Sequence, residues 1–359
     1  MMGTSERIQC RVAVAILNWN GAHHMRRFLP SVVAHADSRD AVVVIDNGSD
    51  DDSLELLAQD FQEVHVIRLH SNAGFAGGYN EGLSLLSNRM EAEWYLLLNS
   101  DVEVTEGWVD EMVAACSRHG WSVAQPKVRS LERRAEFEYA GAAGGYMDRF
   151  GYMFCAGRLF DSNEVDRGQY DSERAVFWAS GAALLVAVEA WNAVGGLDED
   201  FFAHMEEIDL CWRLRNRGHV VGVATGAHVY HLGGGTLAQS SPRKTELNFR
   251  NNLYLLLKND HRAGIRRRLF FRKLLDGIAG LRFLLVGDLA LLRAVIRAHG
   301  AFRRNRRMMQ EKRDREFQAC FGIDRSAPSR AGQYSGSVVM DYFLRRRKRW
   351  SELPPSRFS

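Results

Sequence analysis

Apolar runs of strand length alternate with segments of helical spacing through the first third of the chain. The apolar runs lie at residues 12–17, 41–46, 64–69 and 94–99, and the helical segments between them at residues 22–36, 52–61 and 76–88. Such alternation predicts βαβ units and a sheet covered by helices on both faces. We therefore expect an α/β fold with a mainly parallel central sheet flanked by helices.

Each apolar run ends in polar or glycine-containing sequence, namely NWNG, DNGSDD, HSNAG and NSD. Ligands of open α/β sheets bind outside the carboxyl ends of the strands. We therefore expect these four tails to meet at one crevice.

The rest of the chain divides into three parts. A helix at residues 106–119 and a strand at 123–128 are followed by residues 130–172, which lack periodicity and are interpreted as variable loops. A second ordered block has an apolar run at 177–188, a helix at 201–217 and a strand pair at 219–231, and from residue 244 the pattern is helical and basic. The predicted domains are a catalytic domain at 1–236, a helical basic region at 237–350 and a flexible tail at 351–359.

Composition and cysteine usage narrow the class of protein. The 359 residues are 46% hydrophobic and 25% charged, with a net charge of +3, which is typical of a folded globular protein. The five cysteines are scattered and form no CxxC pair, so neither a disulfide framework nor a zinc site is indicated. With no signal-peptide pattern at the N-terminus, a cytoplasmic location is expected.

Two of the strand tails can bind a nucleotide. Asp46, Asn47 and Ser49 offer hydrogen bonds to a base or ribose, and glycines such as Gly74 let backbone approach a ligand. The alternatives are an ordinary strand-to-helix turn and a glycine-rich helix start. The second tail does not match GxGxxG, so a dinucleotide fingerprint is not supported.

Asp101 ends the apolar run at 94–98 with a carboxylate. In a crevice that holds a nucleotide diphosphate, a carboxylate at this place can bind Mg²⁺ or Mn²⁺ through oxygen. The metal charge would then offset the charge of a departing diphosphate. A solvated turn aspartate is the alternative.

Three acids, Glu206, Glu207 and Asp209, lie at the start of a predicted helix. The helix dipole favours acids there, which is the structural alternative. Residues two apart do not share a helix face, so Glu207 and Asp209 are expected to differ in role, one toward an acceptor hydroxyl and one bracing the site. A positioned carboxylate can deprotonate an attacking hydroxyl.

Two histidines, His228 and His231, end the predicted strand before three glycines. A neutral imidazole can complete a metal site begun by carboxylates. Residues three apart on a strand face opposite sides, so one histidine at most is expected in the crevice.

These motifs together resemble the inverting family 2 glycosyltransferases with the GT-A fold, in particular their bacterial rhamnosyltransferase-like branch. The resemblance covers residues 10–236 and is carried by LNWNG, DNGSDD, NAGFAGGYNEG, LNSDVEV, SGAALLV, GGLDEDFFAHMEEIDLCWR and VYHLGGGT. It implies a GT-A nucleotide-binding domain with a helical basic C-terminal extension.

The resemblance also implies roles for particular residues. The nucleotide-sugar-binding positions are Asn18, Asp46, Asn47, Ser49, Asn72, Gly74, Asn99 and Ser100. The family's DxD motif falls on residues 99–101, where an amide replaces the first acid, so Asp101 is the implied metal ligand together with His231. The catalytic acids fall on residues 206 and 207, with Glu207 as base and Asp209 in support.

The implied reaction is a single displacement that inverts the anomeric carbon. The donor is a dTDP-, UDP- or GDP-sugar, with rhamnose as one candidate sugar, and the acceptor is a lipid-linked or polysaccharide glycan of the cell envelope. Orientation of both substrates and stabilisation of the leaving group would supply much of the acceleration.

The basic region at 265–307 predicts a membrane-surface helix. Charged residues interrupt every stretch that might span a membrane. At 100° per residue, Arg282, Arg293 and Arg297 fall within an arc of roughly 60°, which suits an amphipathic helix on the inner, anionic face of the cell membrane. A helical hairpin packed on the catalytic domain or in a homodimer is the alternative. Nucleic acid is not expected as a partner, since no known motif is present.

Two other functions fit parts of the pattern. A sugar-phosphate nucleotidyltransferase would have a similar α/β fold, but a glycine- and lysine-rich loop usually follows its first strand, where this chain has NWNGAHH. A non-catalytic membrane-surface scaffold would explain the missing first acid of the DxD motif.

Overall fold

The computed structural model describes residues 7–138, 141–233, 241–322 and 331–359. The strands are β1 Ile8–Asn18, β2 Ala41–Asp46, β3 His65–Arg68, β4 Met90–Asn99, β5 Val102–Val104, β6 Val123–Ser130, β7 Gly145–Asp148, β8 Met153–Cys155, β9 Arg158–Leu159, β10 Ser162–Asn163, β11 Arg174–Val176, β12 Ala183–Ala187, β13 Val221–His231 and β14 Gln333–Tyr334. The α-helices are α1 Ala22–Ala34, α2 Ser53–Asp60, α3 Gly74–Ser87, α4 Trp108–His119, α5 Val188–Val194, α6 Glu206–Asn216, α7 Pro242–Asn259, α8 Ile265–Leu285, α9 Leu289–Arg304, α10 Arg306–Ala319 and α11 Val338–Phe343.

The central sheet has the strand order β11-β13-β6-β12-β4-β1-β2-β3, and β5 pairs with β13. The four strands predicted from the first third of the chain, β4, β1, β2 and β3, are parallel to one another, and β6 is parallel to β13. β12 runs antiparallel between β4 and β6, and β11 and β5 are antiparallel to β13. The predicted α/β fold is confirmed, and the sheet is parallel in its first half and mixed in its second.

Apolar side chains cover both faces of the central sheet. Along β1, Ala13 and Ala15 face one layer while Val12, Val14 and Ile16 face the other. This alternation follows from the two-residue period of a strand. Helices α1 and α4 cover one face, and α3, α6 and α7 cover the other. Burial on both faces leaves only the strand ends free to bind a ligand.

A second, smaller sheet has the order β10-β9-β8-β7-β14. Four of its five strands, β7 to β10, lie within residues 130–172, where only variable loops were expected, so the sequence analysis missed these short strands. Its strands have only two to four residues, which is too short to give a periodic signal. The strand pair expected at 219–231 is likewise wrong: this segment is the single strand β13, with an irregular register between Ala224 and His228.

The C-terminal region contains helices α7 to α11. The arc expected for the three arginines assumed one continuous helix. The structure has two helices here, because residues 286–288 separate α8 from α9. Arg282 therefore lies on α8, while Arg293 and Arg297 lie on α9. The predicted boundary between residues 236 and 237 lies outside the described residues. Across the ranges that the structure describes, no helix combines the length and the apolar character needed to cross a membrane.

The predicted tail, residues 351–359, lies against the small sheet. Leu353 is buried, and the ring of Phe358 lies 4.9 Å from the rings of both Tyr334 and Trp350. The aromatic contacts supply a reason for the ordered position, since each ring removes apolar surface from water.

Candidate functional site

Three of the predicted polar tails lie side by side at one edge of the central sheet. In the strand register Asn18 pairs with Asp46, and Leu17 pairs with Asn99. Because β2, β1 and β4 are parallel, their carboxyl ends meet at this edge. The structure therefore brings the ends of β1, β2 and β4 into one crevice.

Ser49 joins two of these tails. Its hydroxyl accepts hydrogen bonds from Asn18 Nδ2 at 3.2 Å and from the Asn20 amide at 3.0 Å, and its own amide donates to Asp46 at 3.3 Å. Asn18 Oδ1 is buried and has no hydrogen-bond partner among the described residues. An oxygen of this kind can accept a hydrogen bond from a bound ligand, because an unpaired buried acceptor is costly.

Asn47 and Asn72 shape the next loop. Asn47 Nδ2 donates to Asn72 Oδ1 at 3.1 Å and to the Gly74 carbonyl at 3.0 Å, and Asn47 Oδ1 accepts from the Ala73 amide at 2.9 Å. Gly74 has a φ of +74°, which favours glycine. The side chain of Asn47 is therefore occupied by the loop, and its role in the structure is to hold that loop beside the crevice.

A cavity of about 400 Å³ borders this region. It is lined by Gly48, Ser49, Arg68, Leu69 and His70. Gly48 has a φ of +72°, and a Cβ there would lie 2.8 Å from backbone atoms of Ser71, so a side chain would not fit. A cavity that combines close backbone, a hydroxyl and an arginine suits a polar ligand such as a nucleoside.

Asp101 and His231 are in direct contact. His231 Nε2 lies 3.1 Å from Asp101 Oδ1, and His231 Nδ1 lies 3.4 Å from Glu138. Burial alone would lower the pKa of His231, but Asp101 and Glu138 raise it to about 10. Burial would raise the pKa of Asp101, yet the hydrogen bond and charge of His231 hold it below its ordinary value. The contact between Asp101 and His231 joins the loop after β4 to the end of β13.

Among the other predicted positions, Asn99 contacts this pair. Asn99 Nδ2 lies 3.4 Å from His231 Nε2. Ser100 faces Gly21, where an added Cβ would lie 4.0 Å from its hydroxyl. The ring of His228, the second candidate histidine, packs 5.5 Å from the ring of Tyr230. Of the two histidines, the structure brings His231 to the crevice.

Glu138 was missed by the sequence analysis. It lies in the segment without periodicity, and its contact with His231 joins residues that are far apart in the chain. Only its residue type, an acid in an aromatic segment, was visible. No local pattern could indicate that the fold buries it beside a histidine.

Glu206 and Glu207 begin α6, and the pKa of each carboxyl is raised above its ordinary value. Burial, and then the charge of Glu207, raise the pKa of Glu206 well above its ordinary value. Burial raises the pKa of Glu207 to about 7, opposed by backbone amides at the start of α6. The two carboxyls therefore hold protons more readily than isolated glutamates, and Glu207 can exchange one near neutral pH.

Glu207 lies near the carboxyl end of β4. A Cβ on Gly181 would lie 3.6 Å from Glu207. The next residue, Ala182, accepts a hydrogen bond from the Asn99 amide at 3.0 Å. Gln125 supports this turn by accepting from the Ser180 amide at 2.9 Å. Glu207 therefore lies over the turn that borders Asn99.

Asp209 points elsewhere. Its carboxylate accepts hydrogen bonds from Arg213 at 2.7 Å, Lys258 at 2.9 Å and Asn259 at 2.7 Å. Burial would raise the pKa of Asp209, but the charges of Lys258 and Arg213 hold it below its ordinary value. Asp209 is thus fully ion-paired between α6 and α7, where it anchors the helix that begins with Glu206 and Glu207.

The segment before α6 has an unusual backbone. Phe202, His204 and Met205 have φ values of +66°, +68° and +75°, although none is glycine. Such conformations cost energy and persist only where the surroundings hold them. Asn251 on α7 supplies this hold, since its side-chain amide lies 2.7 to 3.0 Å from the carbonyl oxygens of residues 201, 203 and 204. Asn251 was also missed from sequence.

The residues around Asp101 fit a divalent cation that shares its ligands with a substrate. Asp101 offers an oxygen, and His231 offers a nitrogen once a bound cation displaces the proton that Asp101 and Glu138 stabilise. Among the described residues, no group of three or more His, Cys, Asp or Glu residues could hold a metal ion. Mg²⁺ is commonly bound by one or two carboxylates together with substrate phosphates. A two-residue donor set therefore suits a cation that arrives with a nucleoside diphosphate.

Comparisons with known proteins agree with this geometry. Residues 13–140 match the family model of glycosyl transferase family 2. The chain is 27% identical over 308 residues to N-acetylglucosaminyl-diphospho-decaprenol L-rhamnosyltransferase of Mycobacterium tuberculosis (strain ATCC 25618 / H37Rv), covering 82% of this chain and 95% of that protein.

Two solved structures share the fold. S. aureus TarS 1-349 in complex with UDP-GlcNAc aligns with a TM-score of 0.53 and 15% identity over 90% of this chain and 93% of that one. GalNAc-T7 with UDP, GalNAc and Mn²⁺ aligns with a TM-score of 0.51 and 15% identity over 69% of this chain, which spans about half (48%) of that protein.

The fold is thus shared with two solved structures that contain UDP-GlcNAc or UDP. Residues 13–140 are similar to glycosyl transferase family 2.

Proposed function

We propose that the protein is an inverting glycosyltransferase that uses Glu207 as its general base. The observation that carries this proposal is the pKa of Glu207, raised by burial to about 7, at a position over the turn that borders Asn99. A base with a pKa near the working pH combines a useful ionised fraction with sufficient basicity. The raised pKa of Glu206, caused by burial and then by the charge of Glu207, disfavours a second negative charge beside this base.

The donor is a nucleoside-diphosphate sugar, bound along the ends of β1, β2 and β4. Asn18, with its unpaired Oδ1, and Ser49 face the nucleoside side. Asn47, Asn72 and Gly74 hold the adjoining loop. Asn99, Ser100 and Asp101 border the diphosphate side, a placement that the register of β1 with β4 supports.

Asp101 and His231 would hold a divalent cation, Mg²⁺ or Mn²⁺. Bound there, such a cation supplies positive charge against the diphosphate. Asp101 has a pKa held below its ordinary value and is ionised at neutral pH. Glu138 orients His231 from the far side of the ring, as carboxylates beside metal-binding histidines commonly do.

The reaction is one displacement in which atoms and charges balance. The acceptor hydroxyl gives its proton to Glu207, and its oxygen forms a bond to the anomeric carbon. The bond from that carbon to the diphosphate oxygen breaks on the opposite side, and the nucleoside diphosphate leaves with the electron pair. Attack opposite to the leaving group inverts the anomeric configuration.

The mycobacterial relative suggests the substrates of this protein. That enzyme transfers L-rhamnose to N-acetylglucosaminyl-diphospho-decaprenol, so we propose dTDP-rhamnose as donor, with UDP- and GDP-sugars as alternatives. The proposed acceptor is a lipid-linked or polysaccharide glycan in cell-envelope synthesis. No disulfide joins any of the five cysteines, all of which lie in the described residues, and this suits the reducing cytoplasm and therefore the inner side of the cell membrane.

Donor turnover tests the chemistry. The protein is incubated with each nucleotide sugar, an N-acetylglucosaminyl-diphospho-polyprenol acceptor and Mn²⁺, and release of nucleoside diphosphate is followed together with product anomeric configuration. Glu207→Gln should lower kcat by about 10² to 10⁴ while calorimetry shows unchanged donor binding. Retention of configuration, or full activity of E207Q, would refute the proposal.

The metal-binding role of Asp101 has its own test. Asp101→Asn should raise the Mn²⁺ concentration needed for half-maximal turnover by about 10 to 100 fold. The exposed Asp50, at the same end of the sheet but on another loop, provides the control D50N. Equal Mn²⁺ dependence of D101N and the unchanged protein would remove Asp101 from the cation site.

A further inference from the structure

Helix α8 buries charged side chains and exposes apolar ones, which is the opposite of a typical surface helix. Arg272 and Asp276 are buried and paired at 2.8 Å, and Asp276 also accepts from Tyr152 at 3.2 Å. The opposite face is apolar and exposed: Phe270 is 64% exposed and Leu285 is 79% exposed. A surface helix normally shows polar residues to water.

The exposed apolar residues form one stripe. Phe270, Leu274, Ile278, Leu281 and Leu285 are spaced by three or four residues and are all exposed. At 100° per residue they fall within an arc of about 80°. We call this stripe, together with the adjacent Phe343 and Leu344, the apolar face.

The second part of the apolar face comes from a distant segment of the chain. Phe343 and Leu344, at the end of α11, are 43% and 72% exposed. The guanidinium of Arg282 on α8 lies 5.4 Å from the centre of the Phe343 ring, which places the two segments together. An exposed apolar surface assembled from separate segments is unusual for a protein that has only water around it.

Basic side chains border the apolar face. On α8, Lys273 and Arg282 are exposed on opposite sides of the stripe, and the sequence RRRKR at 345–349 follows Leu344 directly. The carboxylates within 265–304 are Asp276, which is buried, and Asp288, which caps α9 by accepting from the Leu291 amide at 3.0 Å. The face therefore presents apolar and positive groups.

We propose that the apolar face docks on an anionic lipid bilayer, with α8 in the plane of the membrane surface. Apolar side chains of such a helix enter the acyl boundary while lysine and arginine contact the headgroups. Each basic residue near an anionic leaflet adds to the attraction, and the attraction falls off with distance from the surface. A second copy of the chain suits this face less well, because two such faces would bring their basic borders together. The neighbouring carboxylate of Asp341 is buried and already pairs with Arg345 and Arg347 of its own chain.

The docking face is linked to the catalytic side of the protein. Arg272 donates to Asn252 on α7 at 2.8 Å, and Asn252 contacts the sulfur of Met205 at 3.4 Å, directly before Glu206. Docking of α8 on the bilayer would therefore fix the distance of α7 and of the start of α6 from the membrane surface. The proposal goes beyond the catalytic one and does not depend on the role of Glu207.

Vesicle sedimentation tests the proposal with the full chain. The protein should pellet with vesicles that contain about 30% phosphatidylglycerol, and at least about tenfold more weakly with pure phosphatidylcholine vesicles. The double variant L274E/L281E should lose about tenfold or more of this binding. The matched control I8E/L85E adds two carboxylates at exposed apolar positions on β1 and α3 and should bind like the unchanged protein.

Charge reversal separates the electrostatic part of binding. Arg282→Glu should weaken binding to anionic vesicles more than Arg89→Glu, which alters an exposed arginine away from the apolar face. Absence of binding by the unchanged protein, or equal binding of L274E/L281E and its control, would overturn the proposal. Lipid-free self-association that L274E/L281E abolishes would also overturn it, since the face would then belong to a second copy.

Discussion

Lys258 Nζ lies 2.9 Å from Asp209 Oδ2, and both side chains are buried. Lys258 also reaches Asp198 at 2.6 Å. The contact joins α7, which the sequence assigns to the basic C-terminal region, to α6, which carries Glu206 and Glu207. The first helix after the catalytic motifs is therefore part of the support of the site.

Removal of Lys258 should strongly destabilise the protein. Lys258→Met leaves the carboxylates of Asp198 and Asp209 buried with less compensating charge, and loss of one partner of a buried pair costs about 3 to 5 kcal/mol. Urea unfolding measures this change. Arg307→Met, which breaks the exposed pair with Glu311, is the control and should change stability by less than about 1 kcal/mol. Similar effects of both variants would contradict the argument.

The proposed role of Glu207 predicts a pH dependence of turnover. The carboxylate must be ionised to accept the proton, and its pKa is raised by burial to about 7. We expect kcat/KM to rise with pH through about 7 and to be about tenfold lower at pH 6 than on the plateau. The residual activity of Glu207→Gln should lack this inflection. An inflection that persists in the variant would assign it to another group.

The same carboxyl predicts a pH-dependent stability. Its folded pKa is raised from 4.5 to about 7, so the protonated form favours folding below pH 4.5, and this stability is lost as pH rises through about 7. Glu207→Gln should therefore be more stable than the unchanged protein at pH 8 and lose that advantage at pH 4.5. Urea midpoints at both pH values give the comparison. Glu106→Gln, at an exposed glutamate, should show no such trend.

Asn251 is expected to act as a positioning residue for the start of α6. Asn251→Ala removes the donor that lies within hydrogen-bond distance of the carbonyl oxygens of residues 201, 203 and 204. We expect a stability loss of about 1 to 3 kcal/mol and a fall in kcat of about tenfold or more, with the donor KM nearly unchanged. Steady-state kinetics test this.

The control for this prediction is Asn88→Ala. Asn88 is exposed and donates to the Ser84 carbonyl at 3.2 Å, so its loss should leave kcat unchanged. If Asn251→Ala lowered stability but left kcat intact, Asn251 would serve the fold alone.

Much of the central sheet could be predicted because its signals are local. The run at 41–46 coincides with β2, and the other early runs overlap β1, β3 and β4. Each is a continuous apolar stretch bounded by polar turns, which only a buried strand explains over that length. The small sheet gave no such signal, because β9 and β10 have two residues each and depend on partners elsewhere in the chain.

Part of the site could also be predicted, because some of its residues carry local sequence signals. Asp101 and His231 carry visible chemistry at strand ends, and the fold brings them within 3.1 Å. Glu138 and Asn251 were not foreseen, because their positions follow from tertiary contacts. Asp209 resembled its acidic neighbours in sequence, and only the structure reveals that Arg213, Lys258 and Asn259 surround its carboxylate.

The pairing of β14 with β7 has a consequence for synthesis of the chain. Gln333 and Tyr334 complete a sheet whose neighbouring strand, Gly145–Asp148, leaves the ribosome far earlier. At 5 to 20 residues per second, the earlier strand waits about 10 to 40 s for its partner. During this interval its edge is open to other chains, so a newly made copy should depend on chaperones until the last part of the chain emerges.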